Sequence, residues 1–365
     1  MNYLHLRSLL FRLDPETAHR LTLGLLGLVG TLPPLRRFLR NSLSVSSASL
    51  RVRVFGLDFA NPIGVAAGYD KNGSAMAGLA CLGFGHIELG TVTPRAQSGN
   101  PRPRIYRLPQ EEALVNRMGF PNQGADRLAE RLRSGRPPGI VVGVNLGKGT
   151  QTPLEEASHD YLSLMRLFHP WADYLVINLS SPNTPGLRRL QDGPALSRLL
   201  AEVVALREEL ESNGTRHVPL LVKLSPDLDS GALRAAVHAL VEARMDGVVA
   251  TNTTLSRDGI WSPEGRQAGG LSGAPLRRRS TDLVREVRQM TGEDLPIVAA
   301  GGVMDLESAQ EKLEAGASLV QVFSGLIFRG PGIVRQILIG LARAKSGEGH
   351  PAPTQTAAPL RRGAG

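Results

Sequence analysis

Down the chain, short runs rich in Val, Ile and Leu alternate with stretches whose apolar residues recur at helical spacing. Four runs come early: "PIGVAAG" (Pro62 to Gly68), "HIELGTV" (His86 to Val92), "IVVGVNLG" (Ile140 to Gly147) and "YLVINLS" (Tyr174 to Ser180). Four follow: "PLLVKLS" (Pro219 to Ser225), "DGVVATN" (Asp246 to Asn252), "PIVAAGG" (Pro296 to Gly302) and "SLVQVFSG" (Ser318 to Gly325). Their apolar character is continuous rather than alternating, which marks strands buried on both faces, as in a parallel sheet. Between them, stretches such as "LSRLLAEVVALREELE" and "STDLVREVRQM" are amphipathic and long enough for crossover helices. The pattern predicts an α/β fold, a (β/α)8 TIM barrel. Such a barrel takes roughly 250 residues. The chain has 365, so it divides into an extension over 1–40, the barrel over 41–345 and a tail over 346–365.

The extension has its own pattern. "LDPETAH" reads as a helix start, with Asp14 as N-cap, Pro15 at the first helical position and Glu16 in the first turn. His19, Leu23 and Leu26 then share one face, Ala18, Leu21, Leu25 and Leu28 its neighbour, and "TLPP" stops the helix. "YLHLRSLLFRL" before it is a second short helix. The apolar run Leu21 to Leu32 is too short for a spanning helix, which takes about 20 residues. Acidic Asp14 and Glu16 argue against a signal peptide. Two apolar helices flanked by Arg7, Arg12, Arg36, Arg37 and Arg40 suit lying on an anionic membrane; the alternative is that they cap the barrel.

Chemistry gathers where the runs end. In order, those ends carry Asp70 and Lys71; Thr91; Asn145 with Lys148; Asn178 with Ser181 and Asn183; Lys223; Thr251 to Thr253; Gly301 and Gly302; Ser324 and Gly325. That face of a barrel builds the active site. A serine in a turn is ordinary, but Lys223, Asn178, Glu88 and Asn145 lie inside apolar strands, where an unpaired polar group is costly. Together they point to a polar ligand over the barrel mouth. The small, glycine-rich loops after the seventh and eighth runs suit a phosphate.

Charge and composition add limits. The net charge of +9 and pI near 10.3 favour an anionic partner without choosing among nucleic acid, phosphate and membrane. The single cysteine, Cys81, excludes an intramolecular disulfide and any cysteine-built cluster. No metal-ligand spacing is present.

With these residues in view, the chain resembles dihydroorotate dehydrogenases of the membrane-associated, quinone-dependent class, over about 1–345. The likeness is carried by "LDPETAHRLT", "AAGYDKNG", "GTVTPRAQSGNPRPRIYRL", "NRMGF", "GVNLGK", "INLSSPNTPGLR", "VKLSPD", "DGVVATNTT", "GGLSG", "AAGGV" and "ASLVQVFSGLIFRGPG". It implies an FMN barrel oxidising (S)-dihydroorotate to orotate in pyrimidine biosynthesis. FMN is then expected at Ala67, Gly68, Thr91, Asn145, Asn178, Lys223, Thr251, Gly273, Gly302, Phe323 and Ser324. Substrate is expected at Lys71, Asn116, Arg117, Met118, Gly119, Phe120, Asn178, Asn183, Asn252 and Thr253, with Ser181 as catalytic base. A lysine for a carboxylate and four asparagines for an amide-rich ring are sensible complements.

The resemblance also gives the extension a role, as a tunnel admitting ubiquinone or menaquinone from the membrane, with His19 and Arg107 beside it. It implies peripheral attachment to the cytoplasmic face of a bacterial inner membrane, no nucleic-acid partner and no obligate protein subunit. Soluble class 1 relatives carry cysteine where this chain has Ser181, and a tRNA-acting flavin barrel needs a catalytic loop cysteine, whereas Cys81 precedes the second strand. A non-catalytic phosphate-binding barrel leaves Ser181, Lys71 and the asparagines unexplained. Two departures stand beside the motifs: Pro121 where a polar residue is usual and Ala274 where arginine is common. The Pro/Gly/Ala-rich segment from Ser346 lies outside the resemblance and is expected to be disordered.

Overall fold

The computed structural model describes residues 3–346; the tail segment expected to be disordered lies, from residue 347, outside the described residues. Eight parallel strands close into a barrel. They are β1 (Ile63–Val65), β2 (His86–Val92), β3 (Val141–Leu146), β4 (Tyr174–Asn178), β5 (Leu220–Leu224), β6 (Gly247–Ala250), β7 (Ile297–Ala300) and β8 (Leu319–Val322). Each pairs with its neighbours in sequence, and β8 returns to β1 through Val320 opposite Ile63. Every strand falls inside one of the eight apolar runs. All seven residues of β2 are buried, as continuous apolar character demands of a strand with helices outside and packed side chains inside.

The base of the barrel is sealed. An antiparallel hairpin, Val52–Val54 with Leu57–Phe59, sends the buried Phe59 against His86 and, with Tyr174, Val176 and Leu221, fills the interior. Glycines make the room: a Cβ on Gly64 would collide with the His86 ring, and one on Gly143 with the Tyr174 ring. Both ring nitrogens of His86 lack a partner, and burial drives its pKa down to about 3. The ring therefore packs as a neutral aromatic.

At the mouth, a three-stranded antiparallel sheet not foreseen from the sequence joins Ile105–Leu108, Ala113–Asn116 and Gly270–Gly273. It forms one wall above the barrel. Helices α1 (Tyr3–Leu10) and α2 (Pro15–Thr31) lie beside it, and α3 (Pro33–Leu43) packs against α2. The expected N-cap is present, with the Asp14 carboxylate accepting from the Thr17 amide at 2.9 Å. The expectation of two helices is corrected to three. "TLPP" ends α2 and also starts α3, because Pro33 occupies a first-turn position where a missing N–H costs nothing. Arg36, Arg37 and Arg40 thus belong to a helix of their own, and the extension runs to Leu43.

The extension is fastened by polar contacts. Glu16 takes a bidentate pair from the buried Arg104, at 2.7 and 3.0 Å, and Arg104 also donates to the carbonyls of Ser98 and Asn100. The Tyr3 hydroxyl donates to Ile327 O at 2.6 Å and Arg7 to Phe328 O at 2.9 Å. No described helix is long and apolar enough to cross a membrane.

Candidate functional site

One continuous cavity of about 240 Å³ opens from the barrel mouth to the gap between α1 and α2. Its floor is set by the strand ends. Thr91, Asn178 and Lys223 from β2, β4 and β5 line it, with Thr251 after β6, Gly302 after β7, and Phe323 and Ser324 after β8. Ala67 and Gly68 after β1, and Gly273 from the mouth sheet, complete the set expected around a cofactor, save Asn145. Asn145 is fully buried one layer behind, where its Oδ1 accepts from Thr91 Oγ1 at 2.5 Å and from Asn178 Nδ2 at 2.9 Å.

Lys223 is buried, and its ammonium makes no hydrogen bond to a described residue. Burial pushes its pKa down, and the carboxylate of Glu88 works against that shift. The amide N–H groups of Gly302 and Ser324 likewise have no acceptor among the described residues. Gln321 Oε1 is a fourth such group, buried and unpartnered in a side chain of the cavity lining. An ammonium, two main-chain donors and a carbonyl left open in one apolar enclosure suit a planar, polar-edged ligand carrying an anionic tail.

The residues expected around a substrate gather above this floor. Lys71, Asn116, Met118, Gly119, Phe120, Asn183, Asn252 and Thr253 all line the cavity, as does Ser181. Arg117 is the exception. The chain alternates here, so Asn116 and Met118 face inward while Arg117 turns out and donates to Pro103 O and the Tyr106 hydroxyl, at 2.9 and 3.0 Å. Its side chain is not brought into the site.

Ser181 sits on the loop after β4, buried, with its Oγ accepting from the Asn183 amide at 3.3 Å. Arg188 braces that loop, donating to Ser180 O, to Asp227 at 2.7 Å and to Thr253 O. Asn183 Nδ2 donates to Asn116 Oδ1 at 3.2 Å, tying the loop to the mouth sheet. Lys71 is half-buried and donates to Gly68 O at 2.9 Å. Burial lowers its pKa to about 8 even though Glu16 pulls the other way.

The outer end of the cavity is formed by the extension. His19, Arg107, Tyr3, Leu10, Phe11 and Ala18 line it. The Arg107 guanidinium stacks 4.7 Å over the Phe11 ring and donates to Phe11 O at 3.0 Å. His19 packs edge-on against Tyr69 at 5.2 Å, and Tyr69 against Phe323 at 5.7 Å. Burial, then the nearby charge of Lys71, lowers the His19 pKa to about 4, so its imidazole is neutral near pH 7.

Several strand-end groups serve the loops instead. Asp70 accepts from the amides of Ser74 and Ala75, and Lys148 donates to the carbonyls of Gly149 and Thr152. Pro121 and Ala274 do not line the cavity. Sequence reasoning did not single out Gln321, Ser272 or the buried, unpartnered hydroxyl of Thr184. For Gln321 the signal existed: an amide inside "LVQV" is as anomalous as the lysine inside "LLVKLS". Among the described residues no cluster suited to a metal ion occurs.

Comparison with known proteins agrees with this arrangement. Residues 49–344 match the family model described as "Dihydroorotate dehydrogenase". A protein of Azotobacter vinelandii named dihydroorotate dehydrogenase (quinone) is 50% identical over 337 residues, covering 92% of this chain and 95% of its own. One of Pseudomonas fluorescens with the same name is also 50% identical, covering 92% and 98%. The crystal structure of DHODH from Eimeria tenella in complex with ferulenol superposes with a TM-score of 0.84 at 35% identity, over 92% of this chain and 93% of that one. Barrel, cavity and sequence therefore place this chain in the dihydroorotate dehydrogenase family.

Proposed function

We propose that the chain performs its family's reaction with Ser181 as the base, Lys71 and four asparagines as the substrate cradle, and the gap between α1 and α2 as the quinone's entry. The reaction is oxidation of (S)-dihydroorotate to orotate in pyrimidine biosynthesis, by an FMN enzyme that passes electrons to a quinone. The observation that carries the assignment of residues is convergence: Lys71, Asn116, Asn178, Ser181, Asn183 and Asn252 meet in one cavity floored by a lysine whose ammonium makes no hydrogen bond to a described residue.

The open polar groups fit FMN. Gly302 and Ser324 would hold the phosphate, Lys223 the electron-rich edge of the ring, and Ala67, Gly68, Thr91, Thr251, Gly273 and Phe323 the remainder, with Asn145 supporting from behind. Bound FMN supplies the acceptor for the hydride from substrate C6 and hands the electrons on to quinone. The protein's part is positional and electrostatic. Lys71 pairs with the substrate carboxylate, and Asn116, Asn178, Asn183 and Asn252 match the donors and acceptors of its ring. Met118, Gly119, Phe120 and Thr253 close the pocket around it. Ser181 Oγ takes the C5 proton; a hydroxyl is a weak base, so the enclosure and solvent-linked proton transfer must assist. Lys223, held charged in part by Glu88, offsets negative charge gathering at the ring edge.

The extension supports the quinone route. The apolar outer cavity reaches the same floor as the substrate pocket, past neutral His19. On the extension Leu9, Leu13, Leu21, Leu25, Leu28 and Phe38 are exposed, Phe38 by 67%, and α2 and α3 also carry Arg20, Arg36, Arg37 and Arg40. Exposed apolar side chains rimmed by cations suit anionic lipid. We assign ubiquinone or menaquinone as acceptor and peripheral attachment to the cytoplasmic side of a bacterial inner membrane, with no nucleic acid and no obligate protein subunit.

Four outcomes are expected. Ser181→Ala keeps FMN and orotate binding but slows anaerobic flavin reduction by dihydroorotate by roughly two to four orders of magnitude; near-normal reduction in stopped flow removes Ser181 from its role. Ala18→Phe, which fills the outer cavity, leaves that half-reaction intact and slows reoxidation by a short-chain quinone severalfold. Equal reoxidation places the quinone elsewhere. Lys71 keeps its proton below about pH 8, so orotate affinity is greatest below that value and weakens as pH rises through it, a loss absent from Lys71→Met; a pH-independent affinity in the native protein contradicts the carboxylate pairing. Leu25→Ser with Phe38→Ser weakens cosedimentation with phosphatidylglycerol-containing vesicles by roughly tenfold per site, and unchanged binding rules out this face.

A further inference from the structure

The hydrogen bonds beneath the cavity all run one way. Asn145 Nδ2 donates to Glu88 Oε1 at 2.7 Å, and Asn145 Oδ1 accepts from Asn178 Nδ2 at 2.9 Å. Asn178 Oδ1 accepts in turn from Asn252 Nδ2 at 3.3 Å and from Ser180 Oγ at 3.1 Å. Asn252 Oδ1 ends the chain on the Thr253 amide at 2.8 Å. Three successive amides point nitrogen toward Glu88 and oxygen away from it.

Glu88 explains this order because both of its carboxylate oxygens accept, one from Asn145 and the other from Gln321 and Tyr174. Asn145 must meet Glu88 with its nitrogen. Its oxygen is thereby turned to Asn178, which must answer with its own nitrogen, and so outward to Asn252. On the other side, Gln321 Nε2 donates to Glu88 Oε2 at 2.6 Å. Its oxygen is buried and unpartnered among the described residues, in a side chain that belongs to the cavity lining. Glu88 is fully buried and does not itself line the cavity. An amide at position 88 would carry both a donor and an acceptor and would leave the orientation of its neighbours open.

We infer that Glu88 is a positioning residue: the accepting group that fixes how Asn145 is turned and, through it, which ends of Asn178 and Asn252 face the cavity, and that holds Gln321 by its nitrogen. The inference rests on the reading of Asn145 and Asn178 as support for the cofactor site and is independent of Ser181. Its action is through the asparagines, so it is tested by polarity rather than by size.

Asn145→Asp sets a second carboxylate against Glu88. Adding Glu88→Gln reverses that one bond: the new amide nitrogen at position 88 faces the new carboxylate at position 145, and the amide oxygen still faces Gln321. The carboxylate at 145 still offers an oxygen to Thr91 and Asn178. All the variants are isosteric, so packing alone predicts no difference among them. The readout is FMN retention, measured as the dissociation constant from flavin fluorescence on diluting the holoenzyme, with anaerobic flavin reduction by dihydroorotate as a second measure. Expected is a loss of about tenfold or more in Asn145→Asp and recovery to within about threefold of native in the double variant. A double variant as weak as Asn145→Asp overturns the role of Glu88. Native retention in Asn145→Asp alone overturns instead the reading of Asn145 as cofactor support. Should Asn145→Asp not fold, folding of the double variant supports the inference. If neither folds, Glu88→Gln decides alone: weakened retention supports the role, because a turned Asn145 or Gln321 changes what the cavity presents, and native retention overturns it.

Discussion

Every strand of this barrel is buried on both faces, and its mouth must nevertheless be polar. A polar side chain placed there has no water to fall back on, so its donors and acceptors must be met by other side chains or by a ligand. The structure resolves this by layers. Deeper in, Asn145, Gln321 and Tyr174 all donate to Glu88, while the Lys223 ammonium and the Gly302 and Ser324 amides are left for what enters the cavity. Binding and folding thus draw on one accounting of hydrogen bonds, and the ligand completes it.

The same economy governs charge. Three cationic side chains, Lys71, Lys223 and Arg107, face one small enclosure, and each is held differently. Lys223 has a buried carboxylate beneath it, Arg107 a ring under its plane, and Lys71 a pKa lowered by burial. His19 adds no fourth charge because burial and Lys71 keep it neutral. On the outer side the neutral His19 ring leaves the Arg107 guanidinium, stacked on Phe11, as the only one of these three cations, while an anion reaching the inner pocket meets an ammonium.

How much of this the sequence disclosed follows from the range of each signal. The eight strands were readable because burial on both faces writes a continuous apolar run, and the site was readable because it hangs on the ends of those runs. The mouth sheet was not: its strands are four residues each, and Gly270 pairs with Asn116 across more than half the barrel, which no local pattern records. Pro33 was read as a stop because proline serves both roles and only the following turn distinguishes them. Arg117 sits in a motif between two residues that face inward, and alternation along an extended chain turns it away. The hairpin does carry a signal, with Val52 and Val54 alternating ahead of a Phe55-Gly56 turn whose φ angles are both positive, but three-residue strands fall below the length at which an alternating pattern stands out.

That hairpin and helices α1 and α2 belong to one segment of the chain, yet they occupy opposite ends of the barrel. The two helices flank the mouth, and beyond α3 Phe59 plugs the base. The segment therefore works as a clasp with two independent fastenings. The contacts that hold α1 and α2 at the mouth are separate from those that seat Phe59 in the base, so a change at one end leaves the other end's packing in place. Drift in sequence at the base, in turn, bears on how long the fold lasts and leaves the chemistry at the mouth untouched.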